Sequence, residues 1–401
     1  MRPFTSTISL EEARRRLNAA ARPITRTDRV RLADAAGRVV AADVTSPVDV
    51  PPFARSAMDG YAVVAADTSG ATRALPARLG QLDQIYTGRP SPIAITPGTC
   101  AEIATGAPMP AGADAVVMVE QTARSGDEVQ IFAPTTAGHN VGRRGVDISV
   151  GDRVVSAGAW LSPSRIGALA AIGCVDVEVF AKPRVAILST GDEVAEPGRA
   201  LEPGQIFDVN RFTLGAIVSL HGGEPDPHRT AEDTIDALVR AFDACAEADL
   251  IVFSGGSSVG ERDLIVDAIS ARGEMVFHGV AIKPGMPTAF ALVKGVPFFG
   301  MPGHPTSCLS NAYILLVPFL RTLARLPPFA PRVVRVPLGR RIASAAGRHH
   351  FYTVRVTDGV AYPAYKASGD ITSLSQADGY IEIDVDQRVV EEAALVDVTL
   401  F

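Results

Sequence analysis

From residue 183 onward the chain repeats one arrangement: a short unbroken apolar run, a loop, then a segment whose apolar residues recur three and four places apart. The runs Val185-Ala186-Ile187-Leu188 and Leu250-Ile251-Val252-Phe253 predict strands of a parallel sheet covered on both faces. Three stretches predict helices. The first is capped by Asn210 and stopped by Gly222, with Phe212, Ile217 and Leu220 inside. The second starts at Asp233 or Thr234, with Ile235, Leu238, Val239 and Phe242 at helical spacing, and the third covers Leu264 to Ile269. Glu224-Pro225-Asp226-Pro227-His228 occupies the place of a further strand. Prolines cannot donate to a ladder, so that strand is predicted at the sheet edge or absent.

The flanking regions have other periods. Leu10 to Ala20 predicts a helix. It is followed by short β elements among Pro/Gly turns, clearest at Ala115 to Val119 and Glu128 to Phe132. Ser162-Pro163 starts a helix that Gly173 stops. Beyond Leu326-Pro327-Pro328, the segments Val333 to Val336, Phe351 to Val356, Tyr380 to Val385 and Ala394 to Leu400 alternate with period two, without helices. That predicts a small β barrel or sandwich of about seventy residues. The expected class is a multidomain α/β protein with a three-layer α/β domain over 181–327 and a C-terminal β barrel over 328–401. An N-terminal subdomain is assembled from 1–45 and 138–180, and a β-rich subdomain covers 46–137.

Composition narrows the function. A chain of 401 residues, 47% hydrophobic and 20% charged, is globular and long enough for several cores. A net charge of -6 argues against a nucleic-acid partner, whose phosphates call for a basic face. Cys100, Cys174, Cys245 and Cys308 lie far apart without metal spacing, so core positions and a reduced, cytoplasmic home are expected. Arg14-Arg15-Arg16 with no apolar stretch behind it is not a signal peptide, and no segment reaches the roughly 20 apolar residues of a membrane span.

Chemistry concentrates after the apolar strands, where ligands of open α/β sheets bind. Ser254-Gly255-Gly256-Ser257-Ser258-Val259-Gly260-Glu261-Arg262-Asp263 joins a strand to a helix. Its glycines let a phosphate approach the backbone, the helix start offers free N–H groups, and Glu261 or Asp263 suits Mg²⁺. Read blandly, it is a helix start capped by Ser258 or Asp263. Ser189-Thr190-Gly191-Asp192-Glu193 follows the neighbouring strand, so Glu193 and Asp263 form a candidate metal pair.

Taken in order, further motifs make the chain resemble the molybdopterin molybdenumtransferase family, of the MoeA and gephyrin E-domain type. They are Ser56-Ala57-Met58-Asp59-Gly60-Tyr61-Ala62, Thr105-Gly106-Ala107-Pro108, Arg143-Arg144-Gly145-Val146-Asp147-Ile148, Lys283-Pro284-Gly285 and Pro302-Gly303-His304-Pro305. The resemblance runs nearly end to end. It implies molybdenum cofactor biosynthesis: Mg²⁺-dependent insertion of molybdate into adenylylated molybdopterin with release of AMP. It also implies an elongated homodimer with its active site in the cleft between subunits, and contact with the molybdopterin adenylyltransferase. The alternatives are that adenylyltransferase itself, a non-catalytic scaffold, or a CinA-type nucleotide hydrolase.

By that resemblance Asp59, Thr105, Asp147, Glu193, Asp263 and Lys283 are the catalytic candidates. Gly255, Gly256, Ser257, Ser258, Gly303, His304, Ser307, Arg348 and Ser373 are expected to bind the cofactor. Each has a plainer reading: an Asx turn at Asp59, a turn before Pro108 for Thr105, a surface ion pair for Asp147 beside Arg143 and Arg144. Glu193 and Lys283 read plainly as solvated charges, and Thr306 as the cap of a helix after Pro305. Two positions depart from the family pattern: Met286 replaces a second lysine found in many relatives, and His304 stands where they often have asparagine. The lost cation bears on the choice between molybdate and tungstate.

Overall fold

A computed structural model of the chain describes residues 7–191, 193–229, 234–255, 264–344 and 347–401. The chain forms two compact units, Met1–Asp28 with Gly37–Val39 and Val179–Phe401 in one, and Arg29–Ala36 with Val40–Glu178 in the other.

The larger unit is built on a six-stranded sheet ordered Glu224–Arg229, Arg184–Ser189, Leu250–Ser254, Val296–Met301, Ala289–Val293, Gly273–His278. The first four strands are parallel and the last two join antiparallel. Successive side chains of a strand leave opposite faces, so each fully apolar run feeds two cores. Val185, Ile187 and Val252 meet Leu214, Ile217 and Phe319 on one face, while Ala186, Leu188 and Phe253 meet Leu238, Phe242 and Ile269 on the other. The helix Leu10–Ala20, capped by Ser9, adds Leu10, Ala13 and Leu17 to the first core.

The proline-bearing segment is a strand, and it is at the edge. Glu224 N–H donates inward to Pro183 O at 2.8 Å. Inward donors in a parallel ladder recur every second residue, so Pro225 and Pro227 turn their nitrogens away from the sheet.

Two helix starts differ from expectation. Asn210 is the first residue of its helix rather than the cap, and the first turn is closed by Arg211 N–H donating to Asp208 Oδ1 at 3.0 Å. The buried stripe of that helix is Asn210, Leu214, Ile217 and Val218, about half a turn away from Phe212. Phe212 and Leu220 are consequently 52% and 72% exposed. The later helix starts at Pro305, with His304 in the cap position, so Thr306 is not its cap. Thr306 instead donates its hydroxyl to Asp370 O at 2.8 Å.

The C-terminal region pairs Ile282–Lys283, His349–Thr357, Gly379–Ile383, Leu395–Leu400 and Val333–Pro337 in one sheet over a core of Leu338, Val354, Ile381 and Val398. It carries a four-residue helix, Thr372–Ser375, that period-two alternation does not reveal.

The smaller unit holds the sheet Ala115–Met118, Gly60–Val63, Thr99–Ile103, Ala77–Ile85, Glu128–Ile131, Thr122–Ser125. Tyr61 and Val117 face one core, Ala62 and Val116 the other. Its helix Pro163–Ala171 is capped by Ser162 Oγ, as the sequence predicts. Cys100, Cys245 and Cys308 are buried, whereas Cys174 is only partly so and donates to Asp176 O.

Candidate functional site

Three neighbouring parallel strands end together. Ser189-Thr190, Ser254-Gly255 and the Pro302-Gly303-His304 turn after Val296–Met301 all open onto one cavity of about 1520 Å³. Asn210 fixes how far apart these ends stand: its Nδ2 donates to Ser254 Oγ and to Gly303 O, each at 2.7 Å. Asp208, also buried, accepts from Ser189 Oγ at 2.7 Å. From the sequence Asn210 reads only as a helix cap, and Asp208 does not stand out as a site residue. Their signal was two small polar residues at the start of a helix on the carboxyl side of the sheet, where capping is the commoner explanation.

Gly255 must be glycine. Its φ is +133°, and a Cβ there would lie 2.5 Å from Thr190 O. Thr190 Oγ1 and Asn210 Oδ1 are buried and have no hydrogen-bond partner among the described residues, so this corner of the cavity offers polar capacity to a ligand.

Glu193, Lys283, Gly255, Gly303, His304, Ser307 and Arg348, all expected at the site, line the cavity. Glu193 is exposed and Lys283 half-buried. Neither Lys283 nor Arg348 forms an ion pair with another described residue, and both stand on the cavity wall. Lys283 reaches its position because Ile282–Lys283 pairs in parallel with His349 and His350. His304 Nδ1 lies 3.0 Å from Ser368 Oγ, and Thr306 N–H donates to Ser368 O, so the loop around Ser368 closes that side.

Ser373 does not line the cavity. It is fully buried, accepts from Lys366 N–H at 3.0 Å and donates to Ala367 O at 3.3 Å, thereby shaping the Ser368 loop from behind. Gly256, Ser257, Ser258, Glu261 and Asp263 lie outside the described residues, as does Asp192. Among the described residues no group of three or more His, Cys, Asp or Glu side chains is gathered for a metal.

In the smaller unit Asp59 and Thr105 are brought together, Thr105 N–H donating to Asp59 Oδ1 at 2.8 Å. Asp147 is exposed, and the nearby Arg144 is paired with Asp49 at 2.6 Å, so the ion pair considered for Asp147 is made by another acid.

Two buried histidines titrate far from their usual range. His350, opposite Lys283 on the neighbouring strand, is pushed down to about 4, chiefly by burial and secondarily by the lysine's charge. His221 is pushed down to about 4 by burial and then by Arg321. Both stay neutral in the fold where unfolded histidine, with a pKa near 6.5, is charged. The unfolded chain therefore binds more protons between about 6.5 and 4. Stability is full above that window and should fall as pH drops through it, by up to ~1.4 kcal/mol per pH unit for each histidine. Urea unfolding at about pH 7.5 and about pH 5 should show the loss, and His350→Gln should shrink it. An equal loss in that variant would remove His350 from the account.

Three family profiles match the chain in order: the MoeA N-terminal region (domain I and II) over residues 8–173, the probable molybdopterin binding domain over 186–322, and the MoeA C-terminal region (domain IV) over 335–401. A molybdopterin molybdenumtransferase 2 of Mycobacterium tuberculosis is 38% identical over 387 residues, 94% of each chain. The chain belongs to the molybdopterin molybdenumtransferase family. A molybdopterin molybdenumtransferase from Haemophilus influenzae is 33% identical over 86% of each chain. A crystal structure of a molybdopterin biosynthesis MoeA protein from Pyrococcus horikoshii superposes with a TM-score of 0.84 at 37% identity, covering 98% of this chain and 99% of that one. The molybdenumtransferase match takes in regions on both sides of the α/β layer. An adenylyltransferase or hydrolase made of that layer alone does not account for them.

Proposed function

We propose that this protein is a molybdopterin molybdenumtransferase acting in molybdenum cofactor biosynthesis, which inserts molybdate into adenylylated molybdopterin in a Mg²⁺-dependent reaction that releases AMP. The observation that carries the reading is the cavity at three parallel strand ends, where Lys283 and Arg348 stand without partners among the described residues. Molybdate and a phosphoanhydride are both anionic, and two cations over a floor of N–H and hydroxyl groups suit them.

Lys283, held by its short strand, supplies a fixed positive charge to the oxyanion. Arg348 is suited to two-pronged contact with phosphate or molybdate. Ser307 and the backbone near Gly255 and Gly303 offer neutral donors. Glu193, a hard oxygen ligand on the cavity wall, fits a cation that is commonly held by one or two carboxylates plus substrate phosphates, and Asp263 is proposed as its companion. Mg²⁺ when bound would neutralise charge on the anhydride.

Asp59, Thr105 and Asp147 are proposed to serve the cavity of a second copy in a homodimer. A cytoplasmic setting and delivery of substrate by the adenylyltransferase complete the proposal. No helix among the described residues is long and apolar enough to cross a membrane.

The test supplies adenylylated molybdopterin and Mg²⁺ with molybdate or tungstate, and follows AMP and metal-loaded pterin together. Both products should appear in step, and the two oxyanions compared give the metal preference. AMP without loaded pterin would mark a hydrolase. Neither product would leave a binding scaffold.

A further inference from the structure

One wall of the cavity is apolar and takes no part in anion chemistry. Ile206–Phe207 is a two-residue strand paired in parallel with Val194–Ala195, and both of its residues line the cavity. Ile206 is 57% exposed and Phe207 40%.

The exposed ring belongs to a tightly held backbone. Ile206 N–H donates to Glu193 O at 2.8 Å and Asp208 N–H to Ala195 O at 2.9 Å, on either side of it. The next side chain, Asp208, is buried and locked by Ser189 Oγ and Arg211 N–H. A surface loop that merely happened to carry a phenylalanine would not need a buried carboxylate anchoring the adjacent residue.

The cation and the amide donor that follow Phe207 in the chain are already committed. Arg211 is paired with Glu196 at 2.6 Å, and Asn210 Nδ2 is spent on Ser254 and Gly303. Phe212, the other exposed aromatic in this stretch, lies outside the cavity lining and has the Arg211 guanidinium 5.0 Å over its ring. What Phe207 offers a ligand is therefore an apolar plane with a fixed position.

We infer that Phe207 is a stacking platform for a planar heteroaromatic ring of the substrate. The inference rests on the proposed function, because an adenylylated pterin carries two such rings, one at each end of an anionic link. With the link drawn to Lys283 and Arg348, one ring can cover Phe207 and remove its exposed face from water. Stacking of a base on an aromatic side chain is worth roughly 5- to 150-fold in affinity, and a preorganised ring loses little entropy in providing it.

The experiment compares the wild-type chain with Phe207→Ala and Phe207→Trp. Calorimetry measures the Kd of AMP and, separately, of hydroxymethylpterin, and kinetics give KM and kcat for adenylylated molybdopterin. In Phe207→Ala one of the two Kd values should rise about tenfold, KM should rise with it, and kcat should stay within about twofold. Weakened AMP binding identifies the adenine as the stacked ring, and weakened pterin binding identifies the pterin. Phe207→Trp should restore the affinity, and its indole fluorescence, taken as the difference from the wild-type Trp160 signal, should be quenched by the same ligand. Both variants should still unfold in one cooperative thermal transition, because Phe207 is partly exposed and the hydrogen bonds flanking it are made by the backbone. Unchanged Kd and KM in Phe207→Ala, with wild-type turnover intact, overturn the platform alone. A wild-type chain that gives no AMP from adenylylated molybdopterin with molybdate overturns the platform and the proposed function together.

Discussion

Replacing Lys283 by alanine should lower the rate of metal-loaded pterin formation about 10²- to 10³-fold while leaving unfolding by urea within about 0.5 kcal/mol of the wild type. The two halves of this expectation have separate causes. Lys283 is half-buried at the cavity wall and pairs with no described acid, so its removal orphans no charge. Its strand bonds to His349 and His350 run through the backbone and survive the change. His350 beside Lys283 is neutral in the fold near pH 7, so removing the lysine's charge leaves that contact without a penalty. Catalysis, in contrast, loses a preorganised cation where negative charge gathers, and Met286 three residues on has none to offer in its place. Lys283→Arg should recover only part of the rate, since a guanidinium fork does not reproduce a compact ammonium. Wild-type AMP release from Lys283→Ala would take the lysine out of the chemistry.

Gly285→Ala should cost about 3 kcal/mol in urea unfolding, by strain and lost packing acting together. Gly285 has φ +93°, where a side chain is strained, and its Cβ would fall within the side chain of Asn311. Asn311 is fully buried and donates through Nδ2 to Gly285 O at 2.8 Å and to Thr288 Oγ1 at 2.5 Å. An alanine displaces it and leaves buried polar groups unpaired. Gly295 is the control: its φ is +83°, yet nothing lies within 4 Å of a Cβ there, so Gly295→Ala should cost only about 1 kcal/mol. Equal costs at the two sites would show that backbone strain alone governs both.

The elements legible in the sequence are those whose causes are local. Ser162-Pro163 and Gly173 bracket a helix because capping and breaking act within one turn. The run 250–253 is a buried strand because four consecutive apolar residues allow little else, and Pro225 with Pro227 could only be an edge. The buried face of the Asn210–Leu220 helix is not legible in the sequence, because Phe212 and Leu220 are as apolar as Leu214 and Val218. Only the packing on Val185 and Ile187 decides which pair is buried.

The candidate site followed the same division. Glu193, Gly255, Lys283 and Gly303 announce themselves as glycine, acid or lysine beside a strand end. Asn210 does not, because its bonds reach Ser254 and Gly303, 44 and 93 residues away. The joining of Lys283 to the C-terminal sheet spans a similar distance, from Ile282 to His349, and no short-range pattern encodes it.

The two prolines of the Glu224–Arg229 strand also bear on what the protein avoids. With nitrogens that carry no hydrogen turned outward, that border presents carbonyls but no matching donors at Pro225 and Pro227. A strand from another molecule would find only half a ladder to join, so fibrillar stacking is discouraged along the side of the sheet next to the Arg184–Ser189 strand.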